Sequence, residues 1–232
     1  MSLISDQDAE YLRSEFEANL ANPVKLVMFT QSMECQFCAE TRQIVEEIAA
    51  LSDKITPEIY NFVTDKAIAE LYNVEKIPAI AVLRVEDDGD KDYGVRFFGI
   101  PSGYEFTTVI EDIVDVSKGD SGLQPRSKEA VAGITEPVHF QVFVTPTCPY
   151  CTQAVRLAHK FAIESDLITA DMVEAIEFPH LANKYNVYGV PRTVINEEFH
   201  QEGAAPEPMM LAKLLEAVGQ AEAHEHHHDH QH

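Results

Sequence analysis

No apolar run in this chain approaches the roughly 20 residues that a membrane-crossing helix needs. A membrane protein is therefore not expected. The opening residues Met1-Ser2-Leu3-Ile4-Ser5-Asp6 carry neither the basic start nor the apolar stretch of a secretory leader, so a cytoplasmic location is expected. Basic residues are scarce: 17 Lys and Arg stand against 39 Asp and Glu, a formal net charge of −22. That charge repels phosphate backbones and anionic lipid surfaces, so neither nucleic acid nor membrane is an expected partner. Cysteine is scarce too, at four residues, which excludes the dense disulfide framework of small secreted domains.

What is present is a repeat. The 232 residues, 45% hydrophobic, suit two domains of ordinary size, and the cysteines fall into two pairs of equal spacing, Cys35/Cys38 and Cys148/Cys151. An apolar strand precedes each pair, Val24-Lys25-Leu26-Val27-Met28-Phe29 in one half and Val138-His139-Phe140-Gln141-Val142-Phe143-Val144 in the other. Downstream, Tyr72-Asn73-Val74-Glu75-Lys76-Ile77-Pro78 matches Tyr185-Asn186-Val187-Tyr188-Gly189-Val190-Pro191. Cys35 and Pro78 are 43 positions apart, as are Cys148 and Pro191, and the halves are offset by 113 residues. Motif and spacing agree together, which marks an internal duplication.

The coarse order in each half is strand, helix, strand, helix, strand, strand, helix. In the first half an opening helix is expected over 8–19, a strand over 24–29, a helix from the first cysteine pair to about 51, a strand over 59–63 and a short helix over 67–72. Strands over 80–85 and 94–98 flank the turn Asp87-Asp88-Gly89-Asp90, and a helix over 106–116 closes the half. The second half ends in a shorter hairpin and a helix over 208–218. The Gly- and Ser-containing stretch Gly119 to Gln124 is the expected boundary, giving an N-terminal domain over 1–118, a C-terminal domain over 119–221 and a disordered tail over 222–232.

A CxxC pair at the start of a helix places its first sulfur near unpaired backbone N–H groups and the positive end of the helix dipole, which lower its pKa. The thiolate attacks a substrate disulfide, and the second cysteine, one turn on, resolves the mixed disulfide. Cys35 and Cys148 are accordingly the expected nucleophiles, Cys38 and Cys151 the resolving thiols. The competing reading is a zinc site, since two pairs supply four thiolates. Against it, 110 positions separate Cys38 from Cys148, whereas zinc ribbons space their pairs by roughly 15 to 20 residues. Pro78 and Pro191, each behind a β-branched residue, suit either a cis peptide bond beside the reactive pair or an ordinary edge-strand proline. The tail holds His224, His226, His227, His228, His230 and His232, a composition able to bind metal weakly but without preorganisation.

The duplication, Cys35-Gln36-Phe37-Cys38, Cys148-Pro149-Tyr150-Cys151 and the two Ile/Val-Pro segments, together with Phe98-Gly99-Ile100-Pro101-Ser102-Gly103-Tyr104-Glu105-Phe106 and Glu202-Gly203-Ala204-Ala205-Pro206-Glu207, resemble the glutaredoxin-like protein disulfide oxidoreductases of archaea and thermophilic bacteria. The resemblance covers residues 7 to 219. It implies an α/β chain of two tandem thioredoxin-like domains, each a central mixed sheet flanked by helices. It also implies dithiol-disulfide exchange on protein substrates, redox-active disulfides in place of a bound cofactor, and electrons from a thioredoxin-reductase-like flavoprotein. Ile77, Pro78, Val190 and Pro191 then line the substrate groove as the family's cis-proline segments. The tandem module of alkyl hydroperoxide reductase flavoproteins is similar but carries one working CxxC, and two intact pairs argue against that role. The strand before each CxxC lacks the buried acid of thioredoxin, so another carboxylate or water is needed to move the proton of Cys38 or Cys151.

The two pairs differ in their neighbours. Glu34 precedes Cys35 and disfavours a thiolate there, whereas Thr147 precedes Cys148 and Arg192 follows its matching proline. Cys148 is therefore expected to be the more acidic thiol. Alkylation rates measured against pH on single-pair variants test this, and a lower apparent pKa at Cys35 contradicts it.

Overall fold

In the computed structural model, which describes residues 2–220, the elements run in chain order α1 (Asp6–Asn19), β1 (Val24–Thr30), α2 (Cys38–Ala49), β2 (Ile55–Asn61), α3 (Lys66–Leu71), β3 (Ala79–Glu86), β4 (Gly89–Phe98) and α4 (Tyr104–Lys118), then α5 (Pro125–Ala132), β5 (Val138–Val144), α6 (Cys151–Glu164), β6 (Ile168–Glu174), α7 (Pro179–Lys184), β7 (Arg192–Ile195), β8 (Phe199–Glu202) and α8 (Glu207–Ala217). The histidines from His224 to His232 lie outside the described residues. Gly119 to Gln124 connects α4 to α5.

All eight strands form one sheet in the order β2-β1-β3-β4-β6-β5-β7-β8. Each half has the same plan. A parallel pair, β1 with β2 or β5 with β6, is joined by a crossover helix, and an antiparallel hairpin, β3-β4 or β7-β8, lies against its first strand. The halves meet where β4 pairs in parallel with β6, Val95 to Phe98 against Ala170 to Val173. Because β1, β4, β5 and β6 all run one way, their C-terminal ends share one edge of the sheet.

Two apolar clusters cover the two faces. Leu26, Met28, Ile80, Val95, Phe97, Phe140 and Val142 join the inward faces of α1, α2, α4, α6 and α8 on one side. On the other, Val27, Phe29, Ala81, Leu83, Phe98, Phe143 and Val194 are covered from α3 and α7. Strands buried on both faces read as continuous apolar runs, which is why β1 and β5 are legible in the sequence. The crossover α6 buries Cys151, Ala154, Val155, Ala158, His159 and Ala162, a helical stripe of small and apolar residues.

Three elements differ from expectation. β4 begins at Gly89, five residues before its expected start, and takes Gly89 and Asp90 of the expected turn into the strand, where they pair with Glu86 and Val85. β2 begins at Ile55, four residues before the expected start, and its Thr56, Pro57 and Glu58 are polar or helix-breaking residues on an edge strand. Pro57 is tolerated because an edge strand leaves one row of backbone donors unpaired. The eight-residue α5 was not expected; it opens on Pro125 at its first position and buries only Ser127 and Val131, too little periodic signal to mark a helix.

Gly94, at φ +75°, lets β4 approach β6: a Cβ there would stand 2.9 Å from Thr169 Cγ2 and 3.0 Å from the Ile168 carbonyl oxygen. Replacement by alanine meets both a disfavoured backbone conformation and crowding at the seam. Gly94→Ala is expected to lower unfolding stability by about 1–3 kcal/mol, measured by chemical denaturation; an unchanged midpoint contradicts it.

Candidate active site

Both cysteine pairs are disulfides, Cys35–Cys38 and Cys148–Cys151. Each lies just past the C-terminal end of its strand, where the chain turns into α2 or α6. The helices begin at Cys38 and Cys151, so the first cysteine of each pair sits against the helix N-terminus. The anchoring bonds are local: Thr41 N donates to Phe37 O at 2.9 Å, and Cys148 N donates to Thr145 O at 3.2 Å. Cys38 and Cys151 are buried and Cys148 nearly so, at 9% exposure, while Cys35 is more open. Both disulfides occupy the same edge and the same face of the sheet. Their strands β1 and β5 lie four positions apart, which is about 19 Å at the usual strand spacing.

The peptide bonds Ile77-Pro78 and Val190-Pro191 are both cis. Ala79 opposes Phe29 at the end of β1, and Arg192 opposes Phe143 near the end of β5, so each proline lies beside the turn that carries its cysteines. The proline carbonyls accept matching bonds, Gly99 N to Pro78 O and Gly203 N to Pro191 O, both 2.9 Å. Ile77 and Val190 are half-buried beside them. Glu34 is exposed, with φ +56°. The guanidinium of Arg192 pairs with Glu202 at 2.5 Å and meets His200 Nδ1 at 3.2 Å, so its charge is taken up by the β7-β8 hairpin.

Three acids that sequence reasoning passed over converge on this edge. Glu174 and Glu177 stand at the end of β6. Glu174 accepts from the backbone of Ile176 and Glu177, and Glu177 accepts from Ile100 N at 2.6 Å. Burial raises both, Glu177 to about 7. Glu105 is the more enclosed, at 1% exposure. It occupies the first turn of α4, whose Tyr104 N donates to Pro146 O at 3.1 Å, two residues before Cys148. Helices α4 and α6 both run back from the same sheet edge and pack side by side, with Asp112 Oδ2 2.5 Å from His159 Nδ1. Glu105 thus belongs to the turn of α4 that lies against the segment leading into Cys148. Burial pushes its carboxyl up to about 7, only partly offset by the Thr108 side chain one turn on and by His159. Nothing local distinguishes Glu105 from any acid in a helix's first turn; only α4 packing on α6 buries it.

A carboxyl raised by folding binds its proton more tightly in the folded than in the unfolded state. Its contribution to stability is complete below its ordinary 4.5 and is lost as pH rises through about 7. Glu105→Gln removes that loss. The variant is expected to match wild type near pH 4.5 and to exceed it by up to roughly 3 kcal/mol at pH 8. Denaturation curves at the two pH values check this, and a variant less stable than wild type at pH 8 contradicts it.

A thioredoxin-domain family model matches residues 138–216. A protein disulfide oxidoreductase from Aeropyrum pernix K1 is similar in structure with a TM-score of 0.85, at 30% identity over 94% of each chain. The NTD N/C domain of the alkylhydroperoxide reductase AhpF from Enterococcus faecalis follows at 0.81, 25% identity, 93% of this chain and 99% of that one. Among curated relatives, an NADH dehydrogenase of Bacillus subtilis is 28% identical over 171 residues, 74% of this chain and 30% of that protein. An alkyl hydroperoxide reductase of Staphylococcus epidermidis is 26% identical over 179 residues, 75% of this chain and 31% of that protein. The chain thus spans under a third of the length of these curated relatives. With its duplicated CxxC fold and a full-length relative at 30% identity, the chain belongs to the protein disulfide oxidoreductases, which pair two thioredoxin-like folds.

Proposed function

We propose that the chain carries out dithiol-disulfide exchange on protein disulfides through both cysteine pairs, with residues 1–118 and 119–221 as the two units. The observation that carries this reading is the repeated constellation itself: a disulfide at a helix start beside a cis Ile-Pro or Val-Pro bond, twice, on one sheet edge. In the reducing direction, the thiolate of Cys148 or Cys35 attacks a substrate sulfur, the S–S bond breaks, and the other substrate sulfur leaves with the electron pair. Cys151 or Cys38 then loses its proton and attacks the first cysteine, releasing the reduced substrate and re-forming the disulfide. Glu105 takes the proton of Cys151: a carboxyl near 7 is matched to accept and return a proton at neutral pH. Ile77, Pro78, Val190 and Pro191 line the substrate groove, with Glu34 as a modulator of the Cys35 thiol, while Arg192, the other candidate modulator, pairs its charge with Glu202.

Electrons return to the disulfides from a thioredoxin-reductase-like flavoprotein, a reading supported by the likeness to a reductase's own N-terminal module. That likeness also favours a second reading, in which the chain relays electrons from a flavoprotein to one dedicated acceptor. The metal-binding alternative has less support. Two disulfides on strands four positions apart do not bring four thiolates around one ion, and no cluster of three or more His, Cys, Asp or Glu side chains suited to a metal occurs among the described residues. No helix among them is long and apolar enough to cross a membrane.

Turnover of insulin disulfides with dithiothreitol as reductant tests the proposal. Cys148→Ser and Cys35→Ser are each expected to lower the rate, and the double variant to fall to the rate of dithiothreitol alone. A double variant that keeps wild-type turnover overturns it.

A further inference from the structure

Six residues, Gly99 to Tyr104, lead from the end of β4 into the first residue of α4, and they form the centre of the sequence segment Phe98 to Phe106. This loop is bonded to both reactive sites. At one end Gly99 N donates at 2.9 Å to the carbonyl oxygen of Pro78, whose bond to Ile77 is cis. At the other end Tyr104 N donates at 3.1 Å to the carbonyl oxygen of Pro146, two residues before Cys148. Gly103, at φ +60°, permits that approach, because a Cβ there would collide with the Pro146 carbonyl oxygen. Between the two ends Ile100 N donates to Glu177 Oε1 at 2.6 Å. Among the described residues, Glu177 is the only side chain that bonds the backbone of the loop.

The duplication separates what Glu177 adds from what its own turn needs. Glu174 holds the turn after β6, its carboxylate accepting from Ile176 N at 3.2 Å and from Glu177 N at 2.7 Å. At the 113-residue offset Asn61 does the same after β2, its Oδ1 accepting from Val63 N at 2.9 Å and from Thr64 N at 3.1 Å. The turn thus forms without an acid at its last position, where the first half has Thr64. β2 is an outer strand of the sheet, whereas β6 has the end of β4 beside it. In the second half Gly203 N repeats the proline bond, donating to Pro191 O at 2.9 Å, but the backbone of Ala204 and Ala205 makes no hydrogen bond to the other half among the described residues. The clamp on Ile100 is therefore a product of the β4–β6 seam and has no copy elsewhere in the repeat.

We propose that Glu177 is a positioning residue for both redox sites: through Ile100 it fixes the loop whose ends hold the Pro78 carbonyl and the turn before Cys148. The inference rests on the proposed function and deepens it, since it makes a residue of the C-terminal half a determinant of the N-terminal site. A backbone bonded at three points along six residues keeps little conformational freedom. Without Glu177 the two end bonds remain, but the segment between them is no longer held, and the Pro78 segment and the Cys148 turn lose their common support. Both lie against the groove in which substrate is oriented. A groove that holds substrate less well in the ground state and the transition state alike shows a raised KM with kcat unchanged.

The test measures KM and kcat for insulin disulfides in full-length chains that keep one working pair, Cys148→Ser/Cys151→Ser for the N-terminal site and Cys35→Ser/Cys38→Ser for the C-terminal site. In each chain Glu177→Ala is expected to raise KM about fivefold, the size of one lost hydrogen bond, with kcat unchanged. Glu177→Gln, whose amide oxygen still accepts from Ile100 N, is expected to keep the KM of the parent chain. Glu177→Asp, one methylene too short to reach Ile100, is expected to behave as the alanine variant does, and it carries the comparison with glutamine if Glu177→Ala does not fold. An unmoved KM at either site overturns the proposal, as does a glutamine variant no better than alanine. A fall in kcat alone also overturns it, because a smaller folded fraction lowers kcat without moving KM and marks a structural role only. Failure of the underlying reading is seen separately, as undiminished turnover in the Cys35→Ser/Cys148→Ser variant.

Discussion

The four-residue parallel pairing of β4 with β6 is the constraint on which the rest of the molecule depends. It joins two copies of one topology into a single sheet. Since each copy carries its cysteines at the C-terminal end of its first strand, a parallel seam brings both disulfides to one edge and one face. An antiparallel seam would have put them at opposite ends. The same pairing lays α4 of the first half along α6 of the second, so a helix of one repeat walls in the reactive turn of the other.

That wall carries an electrostatic cost. Glu105, Asp112 and His159 are removed from water at the α4–α6 contact, and an unpaired buried carboxylate is among the more destabilising groups a core can hold. Asp112 is compensated by Arg156 and His159. For Glu105 burial outweighs what Thr108 and His159 return, and its raised pKa is the physical consequence. A carboxyl of this kind, stable when neutral and close to ionising at pH 7, is what proton transfer to and from a thiol requires. The burial that weakens the fold at neutral pH thereby fits the site for its chemistry.

The two halves differ in environment although their backbones repeat. Cys148 is nearly buried and flanked by α4; Cys35 is more open, with Glu34 beside it and no buried His–Asp pair at the matching place on α2. Duplication preserved the strand, turn, helix and proline that make exchange possible. It did not preserve the surroundings that set how each thiol behaves.

Short-range pattern was enough to reveal the duplication, the CxxC turns and the two proline segments, because buried parallel strands read as apolar runs and the motifs recur at a fixed offset. It also ordered the main elements, failing at β2, whose edge position leaves polar residues and Pro57 in a strand, at the start of β4, where turn-like Gly89 and Asp90 pair into the hairpin, and at α5, whose buried stripe is two residues wide. Glu105, Glu174 and Glu177 were not legible as site residues. Each lies more than 20 residues from the nearest thiol and matches an ordinary surface acid in type and spacing. Arg192 shows the reverse: its sequence position points at Cys148, while the β7-β8 hairpin takes up its charge. The sequence by itself determined the repeat, the reactive pairs and the fold of each half, since these rest on local periodicity and on spacing. Only the tertiary structure decided which end of the sheet the disulfides share, which acids are buried there and how the halves differ, because desolvation and helix-on-helix contact come from residues brought together across the β4–β6 seam.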